Sequence, residues 1–268
     1  MRLLLALLCG YGAMLQAQEI RLVSYSPGAT QTLIDLNQAN LIVGATSWCP
    51  LPQSHPAPRK CDVFNPDLES LIQLKPSCVI LPRLANPLWA NRCQQAGFKV
   101  LLLSAENNNS AASDIRSLGA LVNQKDLAEK IARSLEGKSS PDTQSLLIIW
   151  DGMMAGENSY LGNPLKTAGY HSPLTDNTWQ KVDWETVARL KPDGFLWIEN
   201  NPNDSAITPS AQHLAELKKI PVVQNLASVQ NGRVYGTTSG SDWLPGSGLV
   251  RAMEKLRGIP ALNGVKPQ

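Results

Sequence analysis

Charge is thin in this sequence and never gathers in a block: 17% of the 268 residues are charged, and the formal net charge is +2. With no Lys/Arg run there is no electrostatic footprint for a phosphate backbone or an anionic membrane surface, which argues against nucleic acid and lipid headgroups as partners. Histidine is scarcer still. His55, His171 and His213 stand far apart, and neither HxxxH nor CxxC spacing occurs, so a zinc centre has no ligand set to draw on. GxSxG, GxGxxG and the P-loop are all missing, and no acid/base pair is set by spacing. An exported small-molecule enzyme built around the Ser24/Ser26 turn or the Gly-rich loops is therefore the alternative class. The main reading is a protein that binds a small ligand without turnover and needs no cofactor.

Long apolar runs are missing too. The one at the start, MRLLLALLCGYGAMLQAQ, combines a positive Arg2, an apolar stretch from Leu3 to Leu15 and a small residue, Ala17, where a signal peptidase can cut. Spanning a bilayer takes about 20 apolar residues, so residues 1–17 read as an export signal and not as an anchor. Cys9 lies inside this run behind Leu8, which is not small, so no lipid anchor is expected on it. Export without an anchor is expected to place the mature chain in the periplasm or outside the cell.

Cysteine is sparse but even in number once the signal is removed, leaving Cys49, Cys61, Cys78 and Cys93. In an oxidising compartment these are expected to pair, with buried free thiols as the alternative. Cys49 with Cys61 would staple the Pro-rich loop between them. Cys78 with Cys93 would join the start of a strand to the end of a returning helix.

What is present is alternation. IRLVSYSPGATQTLIDL reads as strand, turn and helix, LIVGATS as a second strand, and CPLPQSHPAPRKC as an ordered surface loop too rich in proline for a central strand. SCVILP, NPLWANRCQQAG and FKVLLLS continue strand, helix, strand. From Asp114 to about Gly137 the pattern is helical, with Leu127, Ile131 and Leu135 recurring every four positions. The same grammar then resumes with SLLIIW. The expectation is an α/β protein of two Rossmann-like lobes with parallel sheets, residues 18–112 and 141–268, joined by one connecting helical segment over 113–140.

One segment is written twice: NPDLESLIQLKP and KVDWETVARLKP align without a gap, setting Glu69 on Glu185. In the first copy Asn65 caps a helix with Pro66 in its first turn, and Leu68, Leu71 and Ile72 form the buried stripe, so Glu69 points outward. Taken singly, such a Glu only favours the helix dipole, by about 0.3 to 1 kcal/mol, and each Lys-Pro ends its helix before a strand. As a matched pair on two homologous lobes, the carboxylates suit docking onto arginines of a two-fold partner.

These segments, together with LIVGATSWCPLP and SDWLPGSGLVRAMEKL, resemble in order the periplasmic binding proteins that feed vitamin B12, siderophores and haem to ABC importers, from about Arg21 to Leu256, and most of all the B12-binding members. The resemblance implies a ligand between two lobes joined by a rigid helix, limited hinge motion, and contact of Glu69 and Glu185 with the importer's permease dimer. The stretch from Lys125 to Gly137 is shorter than the family's connecting helix. For the ligand it implies Trp179, six residues before Glu185, and Asp242 and Trp243 of the SDW segment. In the first lobe it implies Trp48, in the loop where B12-binding members carry a cleft tyrosine, and Arg83 and Asn86 in a strand-end loop. Val63 holds the position equivalent to Trp179, so neighbouring Phe64 is expected to substitute.

A corrinoid, flat with a greasy face and an amide rim, suits an aromatic cleft with few charges. A ferric siderophore calls for convergent cations, for which Arg83 stands alone, and haem for a rim Tyr or His, such as Tyr25 or Tyr160. Trp184 and Trp197 are expected to pack in the core, and Met153 and Met154 either to pad the cleft or to fill the core.

Overall fold

Side chains along a strand point alternately to its two faces, and here that alternation sorts the interior into three apolar layers. The computed structural model describes residues 19–83, 85–104, 109–136, 144–201 and 203–259. The expected export signal, residues 1–17, lies outside the described residues.

The first half builds β1 (Leu22–Ser24), α1 (Pro27–Asp35), β2 (Ile42–Ala45), α2 (Leu68–Leu74), β3 (Cys78–Leu81), α3 (Pro87–Gln95) and β4 (Lys99–Leu102). Its four strands are all parallel, in the order β2-β1-β3-β4. Two helices follow, α4 (Ser110–Leu121) and α5 (Lys125–Leu135). The second half builds β5 (Gln144–Trp150), β6 (Met153–Ala155), α6 (Gly162–Ala168), β7 (Tyr170–His171), β8 (Trp179–Lys181), α7 (Trp184–Leu190), β9 (Gly194–Asn200), β10 (Thr208–Pro209), α8 (Ala211–Leu217), α9 (Ala227–Gln230), β11 (Val234–Ser239) and α10 (Leu249–Arg257). Here β11-β9-β5 form a parallel centre, while β10 on one side and β6 on the other run against it, and β8 beyond β6 returns to the direction of the centre. The second sheet is therefore mixed where the strand-helix grammar suggested parallel pairing throughout.

Leu22, Cys78 and Ile80 of the first sheet and Leu146, Ile148, Leu196 and Ile198 of the second all enter one central core, completed by α1, α4, α5 and α10. The alternate residues face outward layers: Val23, Val79 and Leu81 pack under α2 and α3, and Leu147, Ile149 and Phe195 pack under α7 and α8. The two lobes thus share a core, which limits how far one can swing against the other.

The connecting segment is a helical hairpin and not a single helix. Asn123, with φ 58°, turns the chain between α4 and α5, and the helices approach so closely that a Cβ on Gly119 would lie 2.1 Å from Cβ of Ala128. Arg116 of α4 binds Glu129 at 2.6 Å and Glu136 at 2.7 Å across the hairpin.

All four cysteines are free thiols in this structure, so the two expected bridges are not met. Alternation supplies the reason. Cys78 points into the central core, whereas Cys93 packs in the layer under α3 on the other face of the same sheet, and Cys49 and Cys61 are divided in the same way. Burial pushes the thiols of Cys61 and Cys93 up to about 11, which keeps them protonated and slow to react.

Candidate functional site

The repeated segment folds as the alignment requires. α2 and α7 each span seven residues, each is capped by an aspartate, and each ends on a lysine in the left-handed region, Lys75 at φ 47° and Lys191 at φ 47°. The cap is Asp67 and not Asn65: its carboxylate accepts from the backbone N–H groups of Glu69 and Ser70, as Asp183 accepts from Thr186. These bonds hold both cap carboxyls below the usual range, the Ser70 side-chain and Thr186 side-chain bonds being the largest causes. Glu69 and Glu185 occupy the same helical position and are exposed. The stripe is narrower than expected, because Leu71 and Val187 are buried while Ile72 is 52% exposed beside Glu69.

The ligand-facing expectations divide. In the first lobe Trp48 is 78% exposed and Phe64 93% exposed, and Arg83 is exposed in the loop after β3. Asn86 spends its side-chain oxygen as the N-cap of α3, accepting from the Leu88 N–H at 2.9 Å. In the second lobe Trp179 is half-buried on β8. Asp242 and Trp243 do not reach the surface: Trp243 is fully buried in the central core. Asp242 is buried between Arg251, 2.5 Å away, and Lys255, 2.8 Å away.

That ion cluster belongs to the seam between the lobes. Arg251 of α10 also binds Asp35 of α1 at 3.0 Å, and Ser247 donates to the same carboxylate at 2.5 Å. The 241–248 segment leaves the C-terminal end of β11 and lies on α1 so tightly that a Cβ on Gly28 would sit 2.1 Å from the Pro245 carbonyl oxygen. The C-terminal edges of the two sheets are thereby held side by side. Open α/β sheets place their ligands at such edges, because strand-end loops converge there.

At this edge the second sheet carries an aromatic wall. β5 ends at Trp150, and Asp151 and Gly152, with φ 50° and 71°, reverse the chain so that Trp150 pairs with Met153. Positive φ at both central residues is the requirement of a type I′ hairpin, which Asp-Gly meets at little cost. The returning β6 pairs with β8, placing Ala155 opposite Trp179. Trp179 then meets the edge of Trp150 at 6.4 Å and tilts against Tyr160 at 5.6 Å. All three rings are half-buried, and burial pushes the Tyr160 phenol up so that it stays neutral. In the sequence Trp150 is only the last letter of a strand. The Asp-Gly pair between apolar residues was the signal that could have found it.

Across the same sheet, Glu199 faces the layer that holds Trp197 and His213, whose rings stack at 4.6 Å. A polar hollow of about 190 Å³ lies beside Glu199, Ser210 and Thr237. Drug-sized ligands fill roughly 300 Å³ or more, so this hollow does not serve a corrinoid or a haem. Trp184 and Trp197 pack in the outer core as expected, and Met154 is buried there too while Met153 is half-buried. Among the described residues no cluster of metal-ligating side chains occurs, and no helix is long and apolar enough to cross a membrane.

Comparison with known proteins agrees with this architecture. A family model described as periplasmic binding protein matches residues 22–240. A cobalamin-binding protein of Halobacterium salinarum is 20% identical over 261 residues, covering 90% of this chain and 69% of its own length. An Fe(3+)-citrate-binding protein of Bacillus subtilis is 24% identical over 185 residues, covering 64% and 56%. Among solved structures, a periplasmic heme-binding protein of Vibrio cholerae superposes with a TM-score of 0.70 at 16% identity, covering 90% of this chain and 98% of that one. A periplasmic vitamin B12-binding protein of Vibrio cholerae gives 0.68 at 18% identity, covering 91% and 96%. At such identities the structural likeness speaks to the fold.

Proposed function

Since the chain belongs to the periplasmic binding protein family, we propose that it captures a corrinoid in the periplasm and delivers it to the permease dimer of an ABC importer. The observation that carries this is the wall of Trp150, Tyr160 and Trp179 at the strand ends of the second sheet. Flat aromatic rings recognise a flat, weakly charged ligand by area and dispersion, and need no cation cluster to do so. Trp48 and Phe64 present further apolar area from the first lobe.

Glu69 and Glu185 lie on matched exposed helix positions with no ion-pair partner among the described residues, and we assign them to the permease. A haem is the second reading, favoured by the Tyr160 phenol within the aromatic wall. A ferric siderophore is the third: the curated relatives include an Fe(3+)-citrate-binding protein, but of the proposed ligand residues Arg83 alone is cationic.

The test is titration of the purified mature protein with cyanocobalamin, haemin and ferric citrate, followed by tryptophan quenching and by absorbance of the protein-bound fraction. Tight one-to-one binding of the corrinoid alone is the expected result. Preference for haemin or ferric citrate would transfer the assignment to that ligand, and chemical conversion of any of them would overturn the binding-protein reading.

A further inference from the structure

Trp150 and Asn200 stand on neighbouring parallel strands. The register sets Trp150 opposite Ile198, so the next residue of β9 on the same face is Asn200. Its side-chain oxygen accepts the indole N–H of Trp150 at 2.8 Å. Glu199, between them, points to the other face.

Trp150 ends its strand next to a two-residue turn and is half-buried, so the central core packs against only part of the indole. Its contact with Trp179 is edge-to-face at 65°, a favoured ring pairing that does not by itself fix which way the indole N–H points. The hydrogen bond to Asn200 supplies the missing constraint, since an indole has a single donor and only one ring orientation satisfies it. We propose that Asn200 is a positioning residue, which holds the Trp150 ring as the second panel of the ligand wall and so sets the affinity of a flat ligand through a side chain it need not touch. This rests on the aromatic wall being the ligand site.

The test uses Trp150→Ala, Asn200→Leu, Asn200→Asp and the double variant Trp150→Ala/Asn200→Leu. Aspartate keeps the acceptor that leucine lacks. One arm needs no ligand: in proton–nitrogen spectra of protein labelled at tryptophan, the Trp150 indole N–H, assigned by its loss in Trp150→Ala, is expected to stay hydrogen-bonded and slow to exchange in Asn200→Asp and to be displaced upfield and faster-exchanging in Asn200→Leu. An unmoved resonance in Asn200→Leu overturns the positioning role whatever the ligand is. The second arm measures affinity for cyanocobalamin or haemin, whichever the wild-type protein binds. Asn200→Leu is expected to weaken binding roughly fivefold, as the loss of one hydrogen bond predicts, with Asn200→Asp restoring it and no further loss on adding it to Trp150→Ala. If Trp150→Ala binds as tightly as wild type, the wall reading itself fails. If Trp150→Ala is weak but Asn200→Leu is not, only the positioning role fails.

Discussion

Replacing Asp242 by alanine removes the one carboxylate that holds both Arg251 and Lys255 against the seam between the lobes. Its side chain is 6% exposed, so the two cations lose a partner that water replaces poorly. Deleting one member of a buried ion pair costs about 3–5 kcal/mol. The lower end applies, because Arg251 is 40% exposed and retains Asp35 at 3.0 Å, while Lys255 retains only Asp204 at 3.5 Å. At about 2–4 °C per kcal/mol for a chain of this size, a loss of about 3 kcal/mol lowers the unfolding midpoint by roughly 6–12 °C. Thermal unfolding of the mature protein by circular dichroism measures it, with Asp242→Asn as a shape-preserving variant that loses the charge alone. If Asp242→Ala unfolds within about 1 °C of wild type while ligand affinity falls tenfold or more, the residue serves the ligand and the ionic seam contributes nothing.

Three further outcomes are expected. The Glu129 carboxyl is held down to about 2 from its ordinary 4.5 by its hydrogen bonds to Arg116 and Arg133, so its contribution to the hairpin is complete above pH 4.5 and is lost as the pH falls toward about 2. Protection of the α5 amides, taken relative to their intrinsic exchange rate at each pH, is expected to fall over that window in wild type and to show a shallower pH dependence in Glu129→Gln. Gly119→Leu drives a branched side chain into Ala128 and is expected to cost at least about 1–3 kcal/mol by chemical denaturation; a neutral result would mean that α4 and α5 are not in contact. In the mature reduced protein, a thiol reagent is expected to modify half-buried Cys61 first and Cys49, Cys78 and Cys93 only on unfolding. Rapid modification of Cys93 would contradict its place under α3.

Much of the fold was legible because local chemistry and tertiary packing ask for the same thing. The repeated Asp-x-Glu helix with its Lys-Pro stop is specified by caps and backbone preferences within a dozen residues, and both copies form it. Its register alone identified Glu69 and Glu185 as equivalent and outward. The Leu127, Ile131 and Leu135 period likewise marked a helix without saying that it would double back on its predecessor at Asn123. The site was less legible. The resemblance implies Trp179, but its neighbours Trp150 and Tyr160 lie well before it in sequence and meet it only because an Asp-Gly turn folds β6 between them.

The sequence by itself determined the strand-helix alternation, the duplicated capped helices and the scarcity of charge that argues against polyanionic partners, since each depends on residues close in the chain or on composition. Only the tertiary structure decided which tryptophans are available and which carboxylates are spent. Trp243 and Asp242 look like ligand residues in a motif, yet the strand they follow delivers them to the central core and to Arg251. Trp150 looks like the end of a buried strand, yet it stays half-buried at the margin of the central core, with its indole N–H bonded to Asn200 on the neighbouring strand. Burial and pairing arise from contacts between segments distant in the chain, and no local pattern encodes them.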